Sequence, residues 1–264
     1  AGVNRLSIGI QSFQPEQLQK LGRIHGRDEA LAAALAAHAA GFDNFNLDLM
    51  FGLPQQTLDE TLADLRTALA LHPAHLSVYQ LTLEPNTLFH ARPPALPEED
   101  VLAAMQEALQ TELADAGFAQ YEVSAYANAG RRCRHNLNYW QFGDYLGIGA
   151  GAHAKIADAD GITRLWKVKQ PRAYLETAGT ADSLGGEQRL GADDVAFEFM
   201  LNALRLTAGF SPLLFAERTG LPLAMLEPAL AQATARGLLE HSRDCIRATP
   251  LVPSLLTPLA ASCA

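Results

Sequence analysis

One ten-residue segment brings together side chains that could hold a ligand. It reads "RRCRHNLNYW" and runs from Arg131 to Trp140. The imidazole of His135 can ligate iron, the rings of Tyr139 and Trp140 can stack on a macrocycle, and the neighbouring guanidinium groups can pair with propionates. We therefore predict a site for an iron-bearing macrocycle, with His135 as the metal ligand. The alternative is a structural histidine, which is the commoner role of a lone imidazole.

A second group consists of Gln11, Arg23 and Asp48, which combine an amide, a guanidinium and a carboxylate. Gln11 and Asp48 lie at the ends of adjacent predicted strands, where their side chains can converge. Arg23 follows Gln11 by one helical segment. A guanidinium binds a carboxylate, and a carboxylate accepts hydrogen bonds from hydroxyls or an ammonium. This set suits a zwitterionic ligand that carries a ribose; a buried structural hydrogen-bond network is the alternative.

Two glycine-containing segments could also approach a ligand. "FGLPQQT", Phe51 to Thr57, is typical of an ordinary turn between a strand and a capped helix. "GIGAGAH", Gly147 to His153, superficially resembles a dinucleotide fingerprint. No long helix or ribose-binding carboxylate clearly follows it, so a strand bend or a close approach to a flat ligand is favoured.

The composition limits the class of protein. The chain has 264 residues, 48% of them apolar, and a formal net charge of −9. That is enough for a large α/β domain with a small appendage, and the acidic balance argues against general nucleic-acid binding. Three widely spaced cysteines, Cys133, Cys245 and Cys263, indicate a reducing compartment, so we expect a cytoplasmic protein. The sequence predicts no transmembrane helix. Because Ala1 leads directly into strand-like sequence, we expect a fragment whose beginning is missing.

Strand-like and helix-like segments alternate from Asn4 to Gly117, which predicts parallel β/α units with both faces of the sheet covered. In the helix predicted from "RDEALAAALAAHAAGF", the apolar stripe would be Leu31, Leu35 and Ala39. Thr57 precedes Glu60 at capping-box spacing and predicts the start of the next helix.

The regular alternation of strand-like and helix-like segments ends after about residue 120. We predict a first domain over residues 1–176, a linker over 177–194 that is rich in Gly, Ala and Asp, and a C-terminal domain over 195–264. Its three helical stretches and a short polar tail form a winged-helix-like pattern. The third helix, predicted over Pro222 to Leu238, carries Arg236 as its one basic residue, which argues against a role in DNA recognition.

Several motifs together resemble the HemW-type heme chaperones, relatives of the oxygen-independent coproporphyrinogen III dehydrogenase HemN in the radical S-adenosylmethionine (SAM) superfamily. The resemblance rests on "NRLSIGIQSFQ", "LGRIHGRDEA", "FNLDLMFGLPQQT", "HLSVYQLTLEPNT", "YEVSAYANAGRRCRHNLNYW" and "DYLGIGAGAH". It implies an α/β fold: a partial TIM-like (β/α) radical SAM barrel followed by a winged-helix-like HemN C-terminal domain. It also implies that Gln11, Arg23 and Asp48 contact SAM. His135 would ligate heme iron, with Tyr139 and Trp140 shaping the heme pocket.

The chain departs from this family in three places. The family's 4Fe-4S cluster is held by a C-x-x-x-C-x-x-C motif, and the ligand cysteines are absent from this chain. Without the strands that would precede it, "RLSIGI" is expected to have an unpaired edge. The final segment, "LVPSLLTPLAASCA", differs from the usual helical ending of the family.

The resemblance implies a heme chaperone that passes heme to an acceptor protein, such as a respiratory-chain hemoprotein. A membrane-associated acceptor is compatible with this reading. The 4Fe-4S cluster and SAM would support the oligomeric state or regulation. The alternative is an enzyme, a radical SAM coproporphyrinogen III oxidase (dehydrogenase) of porphyrin biosynthesis. A third reading, a winged-helix module that binds nucleic acid, is not favoured.

Overall fold

A computed structural model describes residues 2–85 and 87–250. The chain divides between Cys133 and Arg134 into two compact units. Residues 134–176 belong to the second of these units, and the domain bounds of 1–176 and 195–264 stay a prediction. The final segment "LVPSLLTPLAASCA", with Cys263, lies outside the described residues, as does the end of the predicted 195–264 domain.

The first unit alternates strands and helices as predicted. Its elements are β1 (Leu6–Gln11), α1 (Pro15–Lys20), α2 (Arg27–Ala39), β2 (Phe45–Phe51), α3 (Leu58–Leu69), β3 (His75–Gln80), α4 (Leu88–Ala91), α5 (Glu99–Asp115), β4 (Ala119–Glu122) and β5 (Ala125–Ala127). They form an open five-stranded sheet in the order β1-β2-β3-β5-β4. β1, β2 and β3 are parallel, and β5 and β4 are antiparallel to their neighbours. The partial TIM-like (β/α) architecture is confirmed, and β1 lies at an edge of the sheet within the described residues.

The two faces of this sheet differ in chemistry. Side chains alternate along a strand, so Phe45, Leu47 and Leu49 of β2 share a face. All three are buried in a cluster with residues of α2, α3 and α5. Asn46 and Asp48 point to the opposite face, which carries a hydrogen-bonded polar network. The other face of β2 carries Asn46, Asp48 and Met50, so it is partly polar rather than a second apolar core.

The buried face of α2 agrees with the prediction only at Leu31, which packs against the core cluster. Ala30, Ala34 and Ala37 are buried, whereas Leu35 is 58% exposed. A helix with alanine on nearly every side has no single stripe of large residues, so leucine spacing was misleading. The small side chains allow the helix to lie close to the sheet.

The start of α3 was predicted correctly. The Thr57 hydroxyl accepts a hydrogen bond from the Glu60 amide at 3.2 Å, and the Glu60 carboxylate accepts from the Thr57 amide at 2.8 Å. This reciprocal capping box satisfies two amides at the helix terminus. The capping box thereby fixes where the helix begins.

The second unit consists of short helices and small antiparallel sheets. Its elements are α6 (Arg134–Trp140), β6 (His153–Asp158), β7 (Gly161–Lys167), α7 (Pro171–Thr177), β8 (Leu184–Arg189), α8 (Ala192–Ala203), α9 (Pro212–Thr219), α10 (Glu227–Ala235), β9 (Leu239–His241) and β10 (Ile246–Ala248), with 3-10 turns at Ala181–Ser183 and Leu223–Met225. β6, β7 and β8 form one sheet, and β9 pairs with β10. Helices α8 to α10 with the β9–β10 wing confirm the winged-helix-like domain.

The segment predicted as a linker, 177–194, carries β8 instead, which pairs with β7. Two of its glycines, Gly185 and Gly186, serve packing against β7. A β-carbon on Gly186 would lie 2.3 Å from the Trp166 indole, so a side chain there would overlap the ring. Glycine composition therefore indicated flexibility where the structure uses it to make room for an aromatic side chain. Among the described residues, no helix is both long and apolar enough to cross a membrane.

The packing of α2 leads to a paired stability prediction. Replacing Ala34 with Leu overpacks the sheet-facing side and should lower the free energy of unfolding by about 1–3 kcal/mol. Replacing the exposed Leu35 with Ala should change it by less than about 0.5 kcal/mol. Urea denaturation of both variants checks this, and a larger loss for Leu35→Ala would contradict the observed helix face.

Candidate functional site

The polar face of the first unit is centred on Asp48, in the middle of β2. The Asn46 amide nitrogen donates to one carboxylate oxygen of Asp48 at 2.7 Å, and the Ser7 hydroxyl lies 3.3 Å from the other. In the sheet register, Asp48 stands opposite Gly9 of β1 and Ser77 of β3. The carboxylate is half-buried, so it is oriented by neighbours and still accessible to a ligand.

Gln11 reaches the same face through an irregular backbone. Its φ is 71°, in the left-handed region, and the β1–β2 register shifts between Gly9 and Gln11. The Gln11 amide nitrogen lies 2.8 Å from where a β-carbon on Gly9 would stand. Ser7 and Gly9 share the face of Asp48 because side chains alternate along β1. The structure therefore brings Gln11 and Asp48 to one face of the sheet, with Asp48 in the middle of β2 rather than at the end of the strand.

The segment after Gln11 is anchored by Asp64, a residue that sequence reasoning did not single out. Asp64 is buried on α3, and its carboxylate accepts from the Ser12 hydroxyl at 2.5 Å and the Phe13 amide at 2.8 Å. Burial raises the pKa of Asp64, and these two hydrogen bonds partly oppose the shift. The helix thus holds the chain immediately beyond Gln11 in place.

Arg23 lies apart from this hydrogen-bonded group. It is exposed between α1 and α2, and its backbone amide donates to the Leu18 carbonyl at 2.9 Å. The next turn is tied to β1, because a ring nitrogen of His25 lies 3.2 Å from the Ile10 carbonyl oxygen. Within residues 2–85 and 87–250, the Arg23 guanidinium forms no hydrogen bond to Gln11 or Asp48. It is thus available to a ligand rather than to a structural network.

Beneath Asp48 lies a buried histidine that the sequence did not mark as functional. One ring nitrogen of His75 lies 2.7 Å from the side-chain oxygen of Asn46, and the other lies 2.8 Å from the Tyr121 hydroxyl. Burial, assisted by the positive charge of Arg5, lowers the pKa of His75 to about 3. The ring is therefore neutral near pH 7.

In the second unit, α6 presents His135 and Tyr139 on one face. Residues four apart on a helix are neighbours. Their ring centroids are 4.7 Å apart, and Tyr139 stacks on Tyr145 at 4.3 Å. We call His135, Tyr139 and Tyr145 the aromatic stack. His135 is exposed, and the described residues offer its ring nitrogens no hydrogen bond, so the imidazole is available to a metal.

The base of the aromatic stack is held by charged residues distant in sequence. Arg164 donates to the Tyr145 hydroxyl and binds the Glu198 carboxylate, with its Nε 3.1 Å from that carboxylate. Burial and the neighbouring Tyr145 raise the pKa of Tyr139, so its phenol stays protonated at neutral pH. Sequence reasoning missed Tyr145, Arg164 and Glu198, since only the folded chain brings β7 and α8 to the stack.

The other motif side chains fix α6. The Asn138 amide donates to the Asp144 carbonyl at 2.9 Å, and a β-carbon on Gly143 would lie 2.1 Å from the Asn138 side-chain oxygen. The guanidinium of Arg205 lies 4.2 Å from the Trp140 ring centroid, a cation–π contact. The buried Trp140 indole nitrogen lacks a hydrogen-bond partner among the described residues. Trp140 is thus engaged on one ring face by the protein itself.

The glycine segment at 147–153 bends the chain back on itself. A β-carbon on Gly147 would lie 2.4 Å from the His153 carbonyl oxygen, which leaves no room for a side chain. The segment leads into β6 rather than into a helix, which agrees with a bend in the chain and not with a dinucleotide fingerprint. Leu146 and Ile148 are 77% and 86% exposed, so the bend displays two aliphatic side chains to solvent.

The described residues provide no ligand set for an iron–sulfur cluster. They contain no group of three or more His, Cys, Asp or Glu side chains that could hold a metal ion. Cys133 is buried in the first unit, and Cys245 lies in the second. A 4Fe-4S cluster needs several cysteine thiolates, and these two do not meet that need.

Comparison with known proteins gives matches over most of the chain. Residues 1–68 match the radical SAM superfamily, and residues 190–251 match the HemN C-terminal domain. The heme chaperone HemW of Escherichia coli K12 is 49% identical over 245 residues, which cover 92% of this chain and 64% of that protein. HemW of Buchnera aphidicola from Acyrthosiphon pisum is 37% identical over 98% of this chain and 68% of its own length.

The fold also resembles a solved structure. The coproporphyrinogen III oxidase HemN from Escherichia coli, a radical SAM enzyme, superposes with a TM-score of 0.75 at 21% identity. The match covers 97% of this chain and 63% of that one. At this identity the likeness shows a shared fold. The chain spans just under two thirds of the length of the Escherichia coli HemW protein.

His75 should make the protein less stable as the pH falls. Its pKa is about 3 in the folded protein, against 6.5 for an ordinary histidine. Between these values the unfolded chain binds a proton that the folded chain does not. The free energy of unfolding should therefore decline as the pH drops below 6.5, by at most about 1.4 kcal/mol per pH unit. Above that pH the contribution is fully present.

Urea denaturation between about pH 7 and pH 4 measures this dependence. The variant His75→Asn lacks the titrating ring, so its stability should fall less steeply with acid than that of the parent protein. Equal slopes for the two proteins would show that His75 does not titrate as described.

Proposed function

The chain belongs to the HemW family of heme chaperones, and we propose that the protein binds heme and passes it to an acceptor protein. The observation that supports this most directly is the aromatic stack, which leaves an exposed imidazole beside two stacked tyrosine rings. In this proposal heme is the cargo. His135 ligates its iron, and Tyr139 orients the imidazole.

The surroundings of His135 suit a flat, amphipathic cargo. Leu146 and Ile148 offer aliphatic surface in the same unit, which favours contact with a macrocycle. Arg134 is exposed one residue before His135 and can pair with a propionate. Arg131 already binds Asp43 at 2.9 Å. Trp140 contributes by fixing α6 rather than by offering both ring faces.

SAM is the second ligand in the proposal, and the residues of the first unit fit it. The Asp48 carboxylate can accept hydrogen bonds from ribose hydroxyls or an ammonium, and the Gln11 amide lies on the same face. The exposed Arg23 guanidinium can pair with the ligand carboxylate. When bound, SAM would support the oligomeric state or the regulation of heme transfer.

The alternative function, a coproporphyrinogen III oxidase, has weaker support. The relatives at 49% and 37% identity are named as heme chaperones, whereas the likeness to HemN is at 21% identity and concerns the fold. We further propose a cytoplasmic location and a respiratory-chain hemoprotein, membrane-associated or not, as the acceptor. Pull-down of heme-loaded protein with purified respiratory hemoproteins tests the acceptor.

Loss of the imidazole should weaken heme binding. In His135→Ala, the Soret band of bound heme should shift and the affinity should drop roughly ten-fold or more, because an iron ligand is lost. Titration of the longest natural form of the protein with hemin, followed by absorbance, measures both. His241→Ala is the matched control, since His241 is exposed in the same unit. An unchanged spectrum for His135→Ala would refute the ligand role.

Gly9→Ala should weaken SAM binding without unfolding the protein. The new β-carbon would push away the flexible Gln11 amide rather than backbone. The loss should match that of Gln11→Ala, about five-fold in affinity for one hydrogen bond. Calorimetric titration with SAM measures it, and Gln19→Ala, on the exposed side of α1, is the control. Full affinity in both Gly9→Ala and Gln11→Ala would remove Gln11 from the site.

A further inference from the structure

We propose that Asn46, His75 and Tyr121 are positioning residues: they form a hydrogen-bond chain of fixed direction that orients the Asp48 carboxylate toward its ligand. The inference rests on the proposed SAM site at Gln11 and Asp48. It adds three buried side chains, none of which need touch SAM.

The direction of the chain is set first at Asp48. An ionised carboxylate only accepts hydrogen bonds, so the donor end of the Asn46 amide must face it. The Asn46 nitrogen indeed lies 2.7 Å from the Asp48 carboxylate and 2.6 Å from the Ser7 hydroxyl. The carbonyl oxygen of Asn46 must then face β3, where the Ser77 hydroxyl donates to it at 3.0 Å.

The orientation of Asn46 next selects one tautomer of His75. The Asn46 oxygen lies 2.7 Å from Nδ1 of His75, so that nitrogen must carry the proton and donate. The neutral ring then leaves Nε2 as an acceptor, and the Tyr121 hydroxyl donates to it at 2.8 Å. The tautomer therefore follows from its partners on both sides.

The far end of the chain has the same polarity. The backbone amide of Cys133, which can only donate, lies 3.3 Å from the Tyr121 oxygen. That oxygen accepts from the amide while its proton is directed to His75. The Arg132 guanidinium lies 5.8 Å from the centroid of the Tyr121 ring. Two groups with fixed roles, a carboxylate and a backbone amide, thus end a chain whose members cannot be reversed.

Burial makes it costly to reverse the direction of these hydrogen bonds. Asn46, His75 and Tyr121 are each exposed by no more than 2%. A buried polar group without a partner is costly, so no member can rotate without leaving another unpaired. Strand register places Asn46 opposite His75 and Asp48 opposite Ser77, so the backbone supports the same arrangement. The carboxylate is therefore oriented before a ligand arrives.

Two substitutions at His75 separate positioning from simple stabilisation. The side-chain nitrogen of His75→Asn can replace Nδ1, which donates to Asn46. The side-chain oxygen of His75→Gln can replace Nε2, which accepts from the Tyr121 hydroxyl. Both variants lose one buried hydrogen bond, so urea denaturation should show similar losses of stability. Thr57→Ala, which removes the α3 cap, serves as a destabilised control away from the network.

The readout is SAM affinity, measured by calorimetry on the longest natural form of the protein. We expect His75→Gln to bind SAM about five- to ten-fold more weakly than His75→Asn, the net effect of one buried hydrogen bond. Thr57→Ala should bind SAM as the parent does. Equal affinities for the two His75 variants would overturn the proposal.

Asp48→Ala distinguishes this failure from failure of the site itself. If Asp48→Ala weakens SAM binding while the His75 variants are equal, the site stands and the positioning chain is refuted. If Asp48→Ala binds SAM with full affinity, the proposed SAM site is wrong and the positioning chain falls with it.

Discussion

The alternation of side chains along β2 is the constraint on which the first unit depends. Phe45, Leu47 and Leu49 on one face hold the helices, and the intervening Asn46 and Asp48 hold the polar network. A shift of one residue in register would exchange the two faces and expose the core. The same strand pairing thus fixes both the packing of the core and the position of the polar network, so a change in register would alter both.

The second unit obtains its candidate site by a different route. The seven-residue helix α6 carries two kinds of motif residue, those that could contact a ligand and those that attach the helix to the unit. His135 and Tyr139 share one face, whereas Asn138 and Trp140 bind the rest of the unit. The helix is too short to be stable alone, so these contacts define its orientation. Rigid support of this kind allows an exposed imidazole to be held without burying it.

Much of this arrangement was predictable, because it depends on local patterns. The strand–helix alternation and the Thr57 cap follow from spacing along the chain. The alanine face of α2 was missed, since alanine gives little periodic signal. The roles of His75 and Asp64 were also missed. Each depends on partners at least 29 residues away, and a single sequence does not show which distant polar residues meet.

Gly143 lies outside the motif from His135 to Trp140, but the motif residue Asn138 depends on it. Its backbone is not in the left-handed region, so other residues could adopt its conformation. A β-carbon there would nevertheless overlap Asn138, both its side chain and its carbonyl oxygen. Surveys that score variants by the His-to-Trp motif alone would pass a change at Gly143 as neutral. A variant at Gly143 would keep every residue of the motif. It would nevertheless lose the turn that follows α6, and a survey of the motif alone would classify it as functional.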